Sequence, residues 1–485
     1  MRGPETEYNQ MPYPPAIYSQ THPDRLATIG TLFGVSPARV DDCRVLELGC
    51  GDGTNSIAMA SAMPKARFVG IDLATEPIRR GNEMLRALEL RNVELQAADI
   101  LHCKLGDARF DYIIAHGLYS WVPAPVRDRI LEICRDHLTE NGMAFVSYNA
   151  YPGNHLRDAA RGMMQFHARN FSDPLQQIRQ ARGLLKLVSH ARTEPDLFHK
   201  VVEQEFDRCV KYTDAGFYHD DLSPMNQPCY FWQFAEHAKA FRLQFVAEAE
   251  LHGMQSDGLT PEVLAVLQQL DPANVIMREQ YLDFFKGRAF RHSLLCREET
   301  RVQRPPESSR IAGMLVSGEV QSLNVNADGS EDFKGPRGAV IGTKNPAARA
   351  ALNKLGAKWP KRIPARELIE GESAGDLLDF FLRCYEMGFI NLHTWTPEFT
   401  TVISERPMVS ALARYQAGIS DMLPNPRHTT MKVEGAVGRK LVQLLDGTHD
   451  RASLVQKLSA DEPSFDGQAL EEVLRHLARS GLLIG

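Results

Sequence analysis

The stretch VLELGCGDGTNS, residues 45–56, constrains this chain more than any other. A short apolar run closes on Gly49, Gly51 and Gly53, and the helix-forming segment TNSIAMASAM follows at once, with Thr54 or Asn55 placed to cap it. Strand, glycine turn and helix make the first unit of a doubly wound sheet, where ligands bind beyond the carboxyl ends of the strands. A plain strand–helix turn also favours glycine, so the spacing has to separate the possibilities. A dinucleotide loop reads GxGxxG and seats a pyrophosphate on the helix N-terminus. Here the glycines read GxGxG, and Glu47 and Asp52 put carboxylates around the turn. Those charges repel a phosphate. They suit a ligand with an amino group and a positive centre, such as S-adenosylmethionine with its α-ammonium and sulfonium.

The next strands agree. ARFVGIDLA ends in Asp72, with Leu73 beside it, about 20 residues beyond the loop, where a carboxylate accepts from both ribose hydroxyls. NVELQAADIL ends in Asp99, placed to accept from an adenine amino group while Ile100 packs on the ring. A fourth strand, FDYIIAHGLYSWVP, precedes a helix, APVRDRILEICRDHLTENG, for which Gly142 is the expected stop, and then a fifth strand, MAFVSYNAYPG. This βαβ alternation predicts a mostly parallel, Rossmann-like α/β sheet. The pattern resembles the class I S-adenosylmethionine-dependent methyltransferase fold.

The acceptor side is less determined. The end of the fourth strand reads His116-Gly117-Leu118-Tyr119-Ser120-Trp121 and lacks an NPPY-type turn, which disfavours a planar amide or exocyclic amine as acceptor. A hydroxyl, carboxylate, amine or carbon acceptor stays open. Tyr119, Trp121, Tyr148 and Tyr151 are expected to form an aromatic wall, each ring stabilising a cation by ~0.5–2 kcal/mol. A lysine, with a reference pKa of about 10.4, must shed its proton before it attacks. His116, Tyr119 or Tyr148 could orient it or relay that proton. Upstream, PDRLATIGTLFG reads as a short helix behind Thr21 or His22, with Leu26, Ile29 and Phe33 on one face and Gly34 as its stop. The Pro- and Tyr-rich segment before it is expected to be extended. It either folds over the ligand mouth, bringing Tyr13, Gln20 or His22 near the methyl donor, or forms a surface arm. Tyr13, Tyr119, Trp121 and Tyr148 are thus the catalytic candidates.

THPDRLATIGTLFG, VLELGCGDG, FVGIDLA, AADI, FDYIIAHGLYSWVP and VSYNAYPG together resemble a bacterial family that joins a class I methyltransferase domain to a methyltransferase regulatory domain. YHDDLSPMNQPCYFWQFAEHAKAFRLQFVAEAEL and EQYLDFFKGRAFRHSLLCR are similar to that regulatory domain. The resemblance extends to rickettsial-type protein-lysine methyltransferases, which modify outer-membrane proteins. It implies S-adenosylmethionine as donor, a protein lysine as acceptor, a homodimer and a C-terminal winged-helix-like module. Residue by residue, Glu47, Gly49, Gly51, Gly53, Asp72, Asp99 and His116 fall on its cofactor-side motifs, and no general base carries over.

Several hundred residues remain beyond that core, and 485 in all are too many for one hydrophobic core. The expected order is an N-terminal cap (1–40), the methyltransferase domain (41–155), a helical regulatory and dimerisation domain (156–300), an α+β middle domain (311–400) and a winged-helix-like domain (405–485). The charged, Pro- and Ser-containing stretch REETRVQRPPESSR, 297–310, reads as a linker. From residue 405 onward ten basic residues face ten acidic ones, and the whole chain has a net charge of -6, so neither supports a nucleic-acid partner. His219, Asp220 and Asp221 are read as loop and cap rather than a metal site, because no second ligand cluster accompanies them. The eight cysteines include no CxxC pair, which points to reduced thiols and no structural zinc. The chain starts without an apolar h-region and holds no run long enough to span a bilayer, so a cytoplasmic location is expected. Three functions stay in view: a protein-lysine methyltransferase, a small-molecule or lipid methyltransferase, and a non-catalytic S-adenosylmethionine-binding regulator.

Overall fold

The computed structural model describes residues 7–9, 11–270, 274–369 and 374–485. The segment 44–48 becomes strand β1 (Arg44–Leu48) because Val45, Leu46 and Leu48 are fully buried, as a strand covered on both faces requires. Around it lie β2 (Arg67–Asp72), β3 (Val93–Ala97), β4 (Phe110–Ala115) and β5 (Leu138–Asn149), all parallel. Two more strands, β6 (Leu243–Glu248) and β7 (Phe290–Arg297), complete a seven-stranded sheet of order β3-β2-β1-β4-β5-β7-β6, with β7 antiparallel to both neighbours. Helices α1 (Pro23–Leu32), α2 (Thr54–Ala62), α3 (Thr75–Ala87) and α4 (Ala124–His137) belong to the same unit. Register pairs Glu47 with Gly70 and with Ile114, and Asp72 with Ala97, so Glu47, Asp72, Asp99 and His116 all come to one carboxyl edge.

Two expectations are corrected. Residues 156–300 are mostly helical, but not helical alone as a helical domain would be: β6 and β7 arise there and extend the sheet past β5. Burial of Leu294, Leu295 and Val246 between sheet neighbours outweighs the helical character of the flanking sequence. Gly142 stops no helix. Helix α4 ends at His137, and Leu138 already pairs with Phe110, so Gly142 lies inside β5.

A buried ionic network fastens β6 and β7 to the helix Val275–Lys286. Arg291, with no solvent exposure, donates to Glu248 Oε1 at 2.6 Å, to both Asp283 oxygens at 2.8 Å and to Glu279 Oε2 at 3.2 Å. Its guanidinium carbon also lies 3.8 Å from the Phe231 ring centroid. The middle region holds two three-stranded sheets and the helices Pro346–Lys358 and Ala374–Glu386, and its core is continuous with that of the large sheet. Asp24 in α1 ties it down, accepting from Arg362 and His393 at 2.8 Å and from the Thr394 and Trp395 amides. The C-terminal helices, with the hairpin Met422–Pro424/Thr430–Lys432, have a core of their own. Leu412 nevertheless packs among Cys50, Ile57, Ile78 and Met84 beside the glycine loop. No helix among the described residues is long and apolar enough to cross a membrane.

Replacing Arg291 by Leu would strand three acids in the interior and is expected to cost about 3–5 kcal/mol, read as a lowered urea midpoint. Arg242→Leu, which removes only exposed pairs to Glu298 and Glu299, should change stability by about 0–1 kcal/mol.

Candidate active site

Gly49, Gly51 and Gly53 take φ values of +72°, +58° and +74°, a region side chains rarely adopt, and a Cβ on Gly53 would meet Leu95 at 2.7 Å. The amides they expose are already committed. Gly49 and Cys50 donate to Ile71 O, Gly51 to Asp72 Oδ2 at 2.8 Å, Gly53 to Cys50 O, and Thr54 to Asp52 Oδ1 at 3.0 Å. The glycine amides are therefore not available as an anion cradle, unlike those of a phosphate loop. What it presents is carboxylate. Asp72 accepts through Oδ1 from Ala74 N, and burial raises its pKa. Glu47, 4% exposed, accepts from Asn55 Nδ2 at 2.8 Å and from Ser56 Oγ at 2.5 Å, and burial pushes its pKa to about 7. Asp99 caps its own turn through Leu101 N, Ile100 is buried and Leu73 is 42% exposed. Among the described residues Glu47 and Asp72 pair with no cation, and with the glycine amides already used the turn fits a cationic nucleoside better than a dinucleotide phosphate.

The N-terminal segment crosses this whole edge. Asn9 Oδ1 accepts from Glu76 N at the start of α3. The Tyr8 ring stacks on His219 at 4.2 Å, in the fields of Asp72 and Asp220. Tyr13 Oη donates to Asp220 Oδ2 at 3.2 Å. The Tyr18 ring lies 3.9 Å from that of His116, and the Tyr18 hydroxyl, its pKa pushed to about 12 by burial first, sits in the fields of Glu47, Asp220 and Asp52. Asn55 anchors the end of this strap: Oδ1 accepts from Tyr18 N at 3.0 Å, and Nδ2 donates to Thr21 Oγ1 at 3.1 Å. His116 is neutral, since burial and then His292 depress its pKa to about 3. Its Nδ1 shares a hydrogen bond with Ser147 Oγ, which also accepts from Gly117 N. Asp220 belongs to the tight turn Tyr218–Leu222. Its neighbour Asp221 takes Arg157 and Arg208, and burial raises the Asp220 pKa to about 6.

The expected aromatic wall does not assemble. Tyr119 and Tyr148 are core residues: Tyr148 stacks on Phe234 at 4.2 Å and shares a hydrogen bond with Ser293 Oγ, while Tyr119 bonds to His237 Nδ1 at 2.6 Å. Trp121 faces the Arg161 guanidinium, and Tyr151 stacks on His155. Neither reaches the carboxylate edge through any described contact. Of the strap candidates, Tyr13 is at the edge, Gln20 is half-buried, and His22 turns away to stack beside Trp395. The helix cap is Gly53 rather than Thr54 or Asn55. Tyr8, Tyr18, Asn55, Ser147 and Asp220 escaped the sequence reading as site residues; only the repeated tyrosines before α1 hinted at them. Among the described residues no group of three or more His, Cys, Asp or Glu could hold a metal ion.

Comparison with known proteins gives three family matches: a methyltransferase domain over residues 39–205, a "predicted methyltransferase regulatory domain" over 213–297, and a "PKMT, C-terminal winged helix domain" over 405–464. An uncharacterised protein of Rickettsia prowazekii (strain Madrid E) is 28% identical over 484 residues, 93% of this chain and 85% of that one. A second from the same organism is 36% identical over 241 residues, 49% of this chain and 96% of that one. The structure of PKMT2 from Rickettsia typhi in complex with AdoHcy superposes with a TM-score of 0.85 at 27% identity, covering 98% of this chain and 100% of that one.

Because Glu47 on its own titrates near pH 7, a cation bound beside it favours the ionised form and releases a proton. The dissociation constant of S-adenosylmethionine, measured by calorimetry, should therefore fall as pH rises from 5.5 to 7, by up to about tenfold per pH unit, and level off above. Glu47→Gln should flatten that slope.

Proposed function

The chain belongs to the family of class I S-adenosylmethionine-dependent methyltransferases with a methyltransferase regulatory domain and a PKMT-type C-terminal winged-helix domain, and we propose that it methylates a lysine side chain of a protein. The observation that carries this reading is Asp220. Its carboxylate lies among Tyr8, Tyr13 and Tyr18, and among the described residues it pairs with no arginine: Arg157 and Arg208 pair with Asp221, and Arg161 donates to the Asp220 and Ser223 carbonyls. An acidic, aromatic-walled mouth favours an ammonium and repels a carboxylate substrate.

In this reading Asp72 and Asp99 hold the ribose and adenine, Ile100 and Leu73 flank the base, and Glu47 with the Gly49–Gly53 turn takes the cationic methionyl group. When bound, S-adenosylmethionine supplies a methyl group already activated on a sulfonium. The chain does the rest by positioning. The strap from Tyr8 to Thr21 excludes water from the edge. Asp220 draws in the lysine ammonium and accepts its proton at Oδ, where Tyr13, 41% exposed, connects it to solvent. Neutral His116, fixed through Ser147, and the Tyr18 ring line the path of the freed amine. The size of the surrounding domains supports a macromolecular acceptor, with an outer-membrane protein as one such target. A homodimer in the cytoplasm completes the reading; its association is supported by the apolar side chains Phe166, Leu187 and Leu197, 62%, 71% and 78% exposed, on neighbouring helices.

Asp220→Asn is expected to lower kcat/KM for a lysine acceptor by about 10²-fold while leaving donor affinity within about twofold. The wild-type pH profile should rise through pH 6 as Asp220 ionises, and the variant should lose that limb. Labelled methyl donor incubated with cell-envelope and cytosolic proteins should mark lysines by mass spectrometry. Label confined to an organic extract would overturn the lysine assignment in favour of a small molecule or lipid.

A further inference from the structure

The C-terminal domain reaches the donor site through one side chain. His428 sits at the tip of the hairpin Met422–Pro424/Thr430–Lys432, at a φ of +56°, held there by Asn425, whose carbonyl accepts from the His428 amide. It is 3% exposed, and its Nε2 meets Asn55 Oδ1 at 3.0 Å. The direction of that bond follows from the neighbours. Asn55 Oδ1 already accepts from the Tyr18 amide, so it is the oxygen, and His428 must donate from Nε2. His428 Nδ1 is then a bare lone pair. It has no partner among the described residues, and neither has Nε2 of His22, whose ring centroid is 5.1 Å away. His22 Nδ1 accepts from Asp24 N, so its Nε2 carries the hydrogen. A buried donor and a buried acceptor, each without a partner among the described residues, thus belong to neighbouring rings at the junction of three chain segments.

The same Asn55 passes the connection on. Its Nδ2 donates to Glu47 Oε1 at 2.8 Å and to Thr21 Oγ1, so one carboxamide fixes the acid of the donor pocket, the strap over it and the tip of the C-terminal hairpin. Both histidines are kept neutral by burial. Leu412 and Gln416, on the neighbouring C-terminal helix Ala411–Ala417, pack against Met84 and the residues behind the glycine turn, giving the contact an apolar backing.

We infer that His428 is a positioning residue of the methyl-donor site: by donating to Asn55 it orients Glu47 and the Tyr18 strap, so that donor binding and docking of the C-terminal domain stabilise one another. Coupling of this kind is reciprocal, and anything that pulls the hairpin away lowers donor affinity by the factor by which the donor tightens the hairpin. This rests on the assignment of the glycine turn and Glu47 to the methyl donor made above.

The test uses the full chain with S-adenosylmethionine as probe. His428→Ala should raise the donor dissociation constant about tenfold, the effect of removing one of the two buried hydrogen bonds that hold Asn55 Oδ1 in place, and His428→Gln, which can still donate, should recover most of it. In the wild type the donor should slow amide exchange in residues 425–433, far along the chain from the pocket, and in His428→Ala that protection should vanish. Asp72→Ala is carried alongside. If Asp72→Ala weakens donor binding while His428→Ala matches the wild type, the inference is overturned and the donor site stands. If Asp72→Ala also binds as the wild type, the donor assignment itself fails. Should His428→Ala not fold, the exchange measurement on the wild type decides: no donor-dependent protection in the hairpin overturns the coupling.

Discussion

The carboxamide of Asn55 is the constraint on which this architecture turns. A side-chain amide offers two hydrogens and two lone pairs, and here all four are used within 3.1 Å, by Thr21, Glu47, Tyr18 and His428. Those partners come from the N-terminal strap, the first strand and the C-terminal hairpin. No other residue type supplies two donors and two acceptors from so short a stem, so any replacement leaves at least one buried group without a partner. The helix that carries Asn55 starts immediately after the glycine turn. The left-handed glycines therefore do more than clear space for a ligand: they set the angle at which the first turn of α2 brings its amide under the strap.

Asp24, in the preceding helix α1, has the corresponding role. It accepts from Arg362, His393 and two backbone amides of the middle region, and Arg362 and His393 in turn hold its carboxyl far below the ordinary range against the opposing cost of burial. His22, two residues before it, lies between Trp395 and His428. Within residues 18–24 the chain thus gathers Asn55 beside the glycine turn, the middle region and the C-terminal domain, through hydrogen bonds of Tyr18 and Thr21, the ion pair and hydrogen bonds of Asp24, and the ring contacts of His22. Buried polar contacts of this sort add little net stability compared with apolar packing, but they are intolerant of misplacement. They specify the docking.

How much of this was legible follows from the reach of each signal. The glycine turn, Asp72 and Asp99 declare themselves because strand-end position and spacing are local properties. Strands β6 and β7 did not, since LQFVAE and FRHSLLCR lie among helical runs and acquire strand character only when paired with β5. The aromatic wall failed for a simpler reason. Adjacent residues of a strand point to opposite faces, so Ser147 meets His116 while Tyr148 enters the core against Phe234. A sequence without its register cannot say which of the two turns toward His116. Asp220 and Asp221 were likewise indistinguishable as a pair of acids; only the fold assigns Arg157 and Arg208 to the second and leaves the first to Tyr13.

Two buried glutamates differ in what faces them. Glu248 and Glu47 are about equally inaccessible, 3% and 4% exposed, and both accept from a serine hydroxyl. Glu248 faces Arg291 and titrates below the ordinary carboxylate range, although burial opposes it. Glu47 has only neutral donors, and burial lifts it toward neutrality. Asp72 follows Glu47, held by backbone amides and raised by burial. Among the described residues an internal cation thus faces Glu248, and none pairs with Glu47 or Asp72 along the carboxyl edge of β1 and β2. Since an unpaired buried carboxylate is unfavourable, that edge by itself is under electrostatic stress, and a ligand bearing positive charge relieves it at the moment of binding. On the donor-site assignment proposed above, selectivity for a cationic nucleoside over a neutral one follows from that charge balance, before any shape complementarity is considered.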